Sequence, residues 1–281
     1  MTAAGAGTVA GVDGARPTVA VVGAGAMGGA LLTGLARAGW GPGELLVVEP
    51  DAARRAAVTA ATGSLPGDVP AAAAADVVVV AVKPAQVAGV LAELSGHLGS
   101  RRPVVVSIAA GVTLAALERA LPAGVPVVRV MPNTPALIGE GTSALSGGSR
   151  AEDRHLTLAE RVMAAVGTAV RVPESLQGAV TALSGSGPAY LFYLVDAMVE
   201  GGVLLGLDRA TARELAVRTV LGSSRLLAET GRHPVELREQ VTSPAGTTVE
   251  ALRVLDDAGV RAAVLRAMRA ARDRSREMSG G

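Results

Sequence analysis

Gly23, Gly25 and Gly28 stand in the run Gly23-Ala24-Gly25-Ala26-Met27-Gly28, spaced G-x-G-x-x-G. That spacing suits a phosphate cradle. The first glycine permits a tight turn, the second lets a pyrophosphate approach the backbone, and the third lets a helix pack closely on a strand. The free N–H groups at a helix start then face the anion, and the helix dipole favours it. In a chain with 36 glycines the spacing alone decides little. Here it follows the β-branched run 18–22 and precedes the helical stretch 30–38, the setting a dinucleotide site requires. Glu49 closes the next apolar run, 21 residues beyond Gly28. A carboxylate there can accept both ribose hydroxyls of NAD and repels a 2′-phosphate, which favours NADH. Arg54 and Arg55 follow on the next helix and favour that phosphate instead. The expected cofactor is therefore NADH or NADPH, with Glu49 tipping the balance to NADH.

Three further segments hold residue types that the rest of the chain avoids. The single Lys is Lys83, the single Asn is Asn133, the Ile are Ile108 and Ile138, and the Tyr and Phe are Tyr190, Phe192 and Tyr193. In a chain dominated by Ala, Gly, Val and Arg, such positions are expected to resist replacement. Lys83 lies in Ala81-Val82-Lys83-Pro84, Ile108 in Ser107-Ile108-Ala109-Ala110-Gly111, and Asn133 in Met131-Pro132-Asn133-Thr134-Pro135. Each segment follows an apolar, strand-like run. Ligands of open α/β sheets bind outside the carboxyl ends of strands, so the three turns are expected to form one rim for cofactor and substrate. Tyr190, Phe192 and Tyr193 fall on a long apolar helix and read as core or subunit packing.

The elements that must carry these turns alternate. Strands are expected at 18–22, 45–49, 76–82, 103–108 and 127–130, with helices at 30–38, 51–62, 85–94 and 114–121 between them. That alternation means βαβ units around a parallel sheet. After about residue 170 the strand-like runs stop. A long apolar stretch, 176–207, is followed by helices to 228, over 234–241, over 247–257 and from 260 to about 278. Thr211 with Glu214, and Thr247 with Glu250, match the T-x-x-E capping box. The expected organisation is a disordered leader over 1–16, a dinucleotide-binding domain over 17–171 and a helical domain over 172–281.

Composition narrows the functions. The net charge is +1, which gives no electrostatic reason for a nucleic-acid or membrane partner. There is no Cys, so disulfides and thiolate metal sites are excluded, and the scattered His97, His155 and His233 show no ligand spacing. No metal is expected, and a reducing, cytoplasmic setting suits the chain. Asp196 and Glu200 interrupt the apolar run 188–207, which therefore reads as a helix buried in protein, within the chain or between subunits, rather than in lipid.

Taken together, the segments 23–28, 81–84, 107–112, 131–136, 183–190 (LSGSGPAY) and 242–252 (TSPAGTTVEAL) resemble the signature set of pyrroline-5-carboxylate reductases, in the same order over roughly 17–278. The resemblance implies a Rossmann-type N-terminal domain and an all-α C-terminal domain that dimerises by interlocking helices, often into larger rings. It implies reduction of L-1-pyrroline-5-carboxylate to L-proline. Cofactor contacts are expected at Gly23, Gly25, Ala26, Met27, Gly28, Glu49, Ala81, Val82, Lys83, Pro84, Ala109, Ala110, Gly111 and Asn133. Substrate contacts are expected at Ser243, Gly246, Thr247 and Thr248. The family usually has Gly where Ala245 stands, and a methyl group there restricts the backbone. Within the last motif, the helix start at Gly246-Thr247-Thr248 suits a carboxylate. Thr247 is the expected N-cap, closed by Glu250, which leaves the Thr248 hydroxyl for the ring nitrogen and makes Thr248 the expected catalytic residue.

Other readings remain. A 3-hydroxyacid dehydrogenase needs a lysine in the helical half, and none follows Lys83. A lactate-type dehydrogenase needs a His–Asp pair at a strand end. A non-catalytic dinucleotide sensor would keep the glycine cradle but gives no reason for the paired threonines.

Overall fold

The computed structural model describes residues 16–279, so the expected leader, apart from Arg16, lies outside the described residues. Two compact units emerge, one running to Gly185 and including the stretch from Asp273, the other Ser186–Arg272.

The first unit is built on β1 (Val19–Val22), β2 (Leu45–Val48), β3 (Leu65–Pro66), β4 (Val77–Val80), β5 (Val104–Ser107), β6 (Val127–Met131), β7 (Gly141–Gly147) and β8 (Gly167–Arg171). They form one sheet in the order β3-β2-β1-β4-β5-β6-β7-β8. The helices between them are α1 (Ala26–Arg37), α2 (Ala52–Thr62), α3 (Val69–Ala72), α4 (Pro84–His97), α5 (Leu114–Arg119) and α6 (Asp153–Ala164). Strand order reverses between β1 and β4, the topological switch point at which a crevice opens beyond the strand ends. The central strands are apolar on both faces, as buried parallel strands must be. Val19, Val21, Val77 and Val79 pack with Leu31 and Leu35 of α1, while Ala20, Val22, Val78 and Val80 pack with Leu91 and Leu94 of α4. Each large side chain so buried contributes roughly 1.5–3 kcal/mol.

The five expected strands do pair in parallel, but the sheet extends further, and β6 and β7 run antiparallel. β3, β7 and β8 lie outside the expected elements, as do α3 and α6. β7 reads Gly-Thr-Ser-Ala-Leu-Ser-Gly, with little strand propensity. Its conformation comes from pairing on both sides, with β6 and β8. Such tertiary pairing overrides local preference. The strands end at Arg171, near the expected domain boundary, but packing with the sheet continues to Gly185. A 3₁₀ turn (Glu174–Leu176), α7 (Gln177–Val180) and a π turn (Thr181–Gly185) make up this extension. The buried Gln177 secures it, donating from Nε2 to the Ala144 carbonyl (3.2 Å) and to Ser146 Oγ (2.8 Å).

The second unit carries α8 (Gly187–Leu204), α9 (Arg209–Thr230), α10 (Pro234–Gln240), α11 (Thr247–Asp257) and most of α12 (Val260–Met278). Its buried cluster is small, formed by Val199, Ala212 and Ala216. Phe192 is 68% and Tyr193 81% exposed, so neither is core of this chain. Within one chain α8 leaves Leu191, Leu194, Met198 and Leu204 open, as the expectation of burial between subunits allows. An exposed apolar face of this kind marks an association surface. Among the described residues no helix is long and apolar enough to cross a membrane.

Neither expected capping box forms. Asp208 caps α9, accepting the Thr211 N–H (3.0 Å) on Oδ1 and the Thr211 hydroxyl (2.6 Å) on Oδ2, while Glu214 pairs with Arg218. A carboxylate at the helix N-terminus is a stronger cap than a hydroxyl one turn later. At α11 the N-cap is Gly246, extended at φ −83° and ψ 171°, so Thr247 is already helical and cannot cap. Glu250 pairs instead with Arg253 at 3.1 Å.

Ala245, just before that cap, has φ 54° and is the one non-glycine residue with positive φ among the described residues. An L-residue there costs ~1–2 kcal/mol in Cβ crowding, which glycine avoids. Ala245→Gly is therefore expected to stabilise the protein by about 1 kcal/mol, net of the extra freedom glycine has in the unfolded chain. A thermal melt should show Tm raised by roughly 2–4 °C. An unchanged Tm would show that the turn relaxes around the methyl group.

Candidate cofactor and substrate sites

The turn from β1 into α1 carries the three glycines, and each has a different surrounding. Gly23 has φ +97°, and a Cβ on it would lie 2.8 Å from the Ala81 carbonyl. A Cβ on Gly28 would lie 2.0 Å from the Gly23 carbonyl. Gly25 is the opposite case, with nothing within 4 Å of where a Cβ would stand. The first and third glycines are closed by protein, and the second faces open space. Gly25 is also the N-cap of α1, without a side-chain cap, so the first N–H groups of the helix, on Ala26 and Met27, remain available to a ligand. Such a start fits the pyrophosphate of a dinucleotide.

Glu49 does not stand open at this crevice. Its side chain is 4% exposed. Oε2 accepts the Ala24 N–H at 2.8 Å, Oε1 accepts the Asp51 N–H at 3.0 Å, and Arg54 Nη1 lies 3.2 Å from Oε1. Burial alone would push this carboxyl up, but those N–H groups and the Arg54 guanidinium outweigh it and hold it below its ordinary value. A carboxylate offers roughly four acceptor sites, too few to add two ribose hydroxyls to these partners. With Ala24, Asp51 and Arg54 as its partners, Glu49 keeps at most one acceptor site for a ribose hydroxyl. Glu49 acts as a clamp between the glycine turn and α2. Arg54, 52% exposed, is held between Glu49 and Asp51 Oδ2 (3.6 Å). Arg55 Nη1 donates to the Glu49 carbonyl.

The turn after β4 lies against the glycine turn: Val82 Cγ1 would be 2.9 Å from a Cβ on Gly23, and the Ala81 methyl 3.1 Å from one on Gly28. Lys83 is the exposed N-cap of α4, and Pro84 its first residue, where a missing N–H costs nothing. The turn after β5 is the neighbour of that after β4, since Val80 pairs with Ser107. Within it Ala109 is buried, Ala110 exposed, and Gly111 left-handed at φ +79°. Asn133, after β6, directs its amide to backbone: Oδ1 accepts the Thr142 N–H (2.8 Å) and Nδ2 donates to the Ser184 carbonyl (3.0 Å). It braces the rim against the π turn, with a second Nδ2 hydrogen left over.

In the helical unit, Ser243 to Thr248 form a tight turn. The Gly246 N–H donates to the Ser243 carbonyl at 3.0 Å, and a Cβ on Gly246 would lie 2.4 Å from Ser243 Oγ. Among the described residues the hydroxyls of Thr247 and Thr248 make no hydrogen bond, and α11 starts without a side-chain cap. This start can therefore take a carboxylate and present two hydroxyls.

Two positions were missed. Arg129, buried in β6, donates to Glu174 Oε1 at 2.9 Å, and the same oxygen accepts the Leu114 N–H at 2.6 Å. The readable signal was one charge inside Val-Val-Arg-Val, since a buried arginine requires a partner.

Residues 174–278 match the family of pyrroline-5-carboxylate reductase dimerisation domains, and residues 18–111 match the family described as NADP oxidoreductase, coenzyme F420-dependent. A pyrroline-5-carboxylate reductase of Corynebacterium melassecola is 44% identical over 265 residues, covering 93% of this chain and 98% of that protein. A pyrroline-5-carboxylate reductase structure from Coxiella burnetii superposes with a TM-score of 0.90 at 36% identity, covering 94% of this chain and 98% of that one. The enzyme of Plasmodium falciparum, solved with NADP bound, gives 0.81 at 26% identity, covering 94% of this chain and 98% of that one. With a nicotinamide-dinucleotide cradle, an uncapped Thr-Thr helix start and relatives of this likeness over nearly the whole chain, the protein belongs to the pyrroline-5-carboxylate reductase family.

Proposed function

We propose that this chain reduces L-1-pyrroline-5-carboxylate to L-proline with NAD(P)H, the final step of proline synthesis. The observation that carries the reading is the start of α11, with no side-chain cap and two hydroxyls that have no hydrogen-bond partner among the described residues, inside the motif most specific to the family. When bound, the reduced nicotinamide supplies a hydride to the imine carbon. The C=N bond becomes a C–N single bond, and the proton already on the ring nitrogen stays as the amine N–H. The residues then have little to do beyond alignment. The N–H groups of Thr247 and Thr248, with Ser243 and Gly246, hold the substrate carboxylate. The Thr248 hydroxyl accepts from the ring N–H and keeps the imine protonated. Gly23 to Gly28, Ala81 to Pro84 and Ala109 to Gly111 carry the dinucleotide, and Asn133 steadies their rim. A second copy of the chain covers the open face of α8.

At the adenosine end we infer NADPH rather than NADH. Support comes from Glu49, three of whose acceptor sites are already taken, and from Arg54, half exposed and pre-oriented by two carboxylates. An arginine at this place suits a 2′-phosphate. Steady-state oxidation of NADPH and of NADH, each with and without pyrroline-5-carboxylate, tests both readings. Imine-dependent oxidation is expected, with kcat/KM higher for NADPH and that advantage reduced about tenfold in Arg54→Gln, as for one charge-assisted contact. Oxidation without dependence on the imine would defeat the reductase reading, and a preference for NADH would defeat the second.

A further inference from the structure

We propose that Glu174, anchored by the buried Arg129, is a positioning residue for the cofactor: it fixes the turn after β5 from behind. The proposal rests on the assignment of Ala109 to Gly111 as a cofactor turn. Those three residues carry no polar side chain; one end of the turn is held by the Ala109 N–H on Ser107 Oγ (3.4 Å), and the other by the start of α5. Thr113 caps α5 by accepting the Ala116 N–H at 3.2 Å. Leu114, the first residue of α5, is left with one of the orphan donors of a helix start. Glu174 Oε1 takes that N–H at 2.6 Å.

The same oxygen accepts from Arg129 Nη1 at 2.9 Å, and the arginine side chain is 8% exposed. This second bond does two things. It stops the carboxylate from swinging away into solvent, and it neutralises a negative charge beside a turn meant for a dinucleotide. The segment from Glu174 to Gly185 is thereby tied at both ends to the rim. Glu174 holds the turn after β5, and the Ser184 carbonyl holds Asn133 in the turn after β6. Glu174 touches neither cofactor nor substrate, and it acts through the Leu114 N–H.

Removing Glu174 alone strands a buried positive charge, and such a variant can fail to fold for that reason. The informative variants keep the charges balanced or keep the acceptor. The double variant R129M/E174L deletes both charges. E174Q keeps an oxygen for Leu114 N–H and for Arg129. E174D keeps the ion pair but shortens its reach. The dissociation constant for NADPH is read by its fluorescence on enzyme without imine, and KM values for NADPH and the imine are measured beside it. R129M/E174L is expected to raise both Kd and KM for NADPH about tenfold, the loss of roughly one hydrogen bond to a charged group. The imine KM should stay within about twofold, and E174Q should recover most of the NADPH affinity. E174D should fold and weaken NADPH several-fold, so the idea stands or falls even if the double variant does not fold. Folded variants that bind NADPH as tightly as the parent would overturn the proposal, as would an E174Q no better than R129M/E174L. Because the Kd needs no turnover, a chain that binds NADPH with this ordering yet reduces no imine would defeat the proposed function and leave this inference intact.

Discussion

Gly25→Ala is expected to leave the melting temperature unchanged and to weaken NADPH binding about 100-fold, close to 3 kcal/mol at 1.4 kcal/mol per decade. The two halves of that expectation have separate causes. At φ −64° and ψ −170°, Gly25 sits in backbone that any residue adopts, and a Cβ there meets nothing within 4 Å. The folded protein therefore tolerates the methyl group. The pyrophosphate does not, because the methyl occupies the side from which it must approach the N–H groups of α1. Gly28→Ala makes the contrast. Its Cβ would lie 2.0 Å from the Gly23 carbonyl, so the turn and α1 must move apart. Overpacking of this kind costs about 1–3 kcal/mol, and stability and NADPH binding should fall together. Calorimetric binding and a thermal melt on each variant separate the cases. A Gly25→Ala protein that bound NADPH like the parent would remove the anion from this helix start.

Thr248→Ala is expected to lower kcat/KM about tenfold or more, which is at least 1.4 kcal/mol of transition-state stabilisation. The Thr248 hydroxyl has no hydrogen-bond partner among the described residues, so its removal breaks nothing in the fold. It follows Thr247 at the start of α11, next to the N–H groups assigned to the substrate carboxylate. If the hydroxyl acts on the ring nitrogen during hydride transfer, kcat should fall more than the imine KM rises, and Thr248→Ser should recover most of the loss. Unchanged kinetics, with folding confirmed by circular dichroism, would take the role away from Thr248. A pure rise in KM would make it a binding residue only.

The sequence on its own determined the parts that depend on local rules. β-branched runs such as Val77–Val80 are apolar on both faces and read as buried strands, so the Rossmann-type half was legible, while the strand order and its switch point came from the fold. Gly23, Gly25 and Gly28 were legible because turn, helix and strand are neighbours in the chain. The turns that follow β4, β5 and β6, and the helix start at Thr247 and Thr248, were also legible as local structure. Tertiary structure decided what depends on partners far away in sequence. β7 is a strand because β6 and β8 lie on either side of it, not because of Gly-Thr-Ser-Ala-Leu-Ser-Gly. Thr247 is not a cap, because the backbone at Gly246 enters the helix one residue before it. Glu49 looked like a ribose acceptor at the end of an apolar run. Its meaning changed once Ala24, Asp51 and Arg54 had taken up its oxygens. Glu174 meets Leu114 and Arg129 across long stretches of chain, and no spacing rule connects them. A hydrogen-bond acceptor has few lone pairs, and which donors reach them first is set by the folded chain.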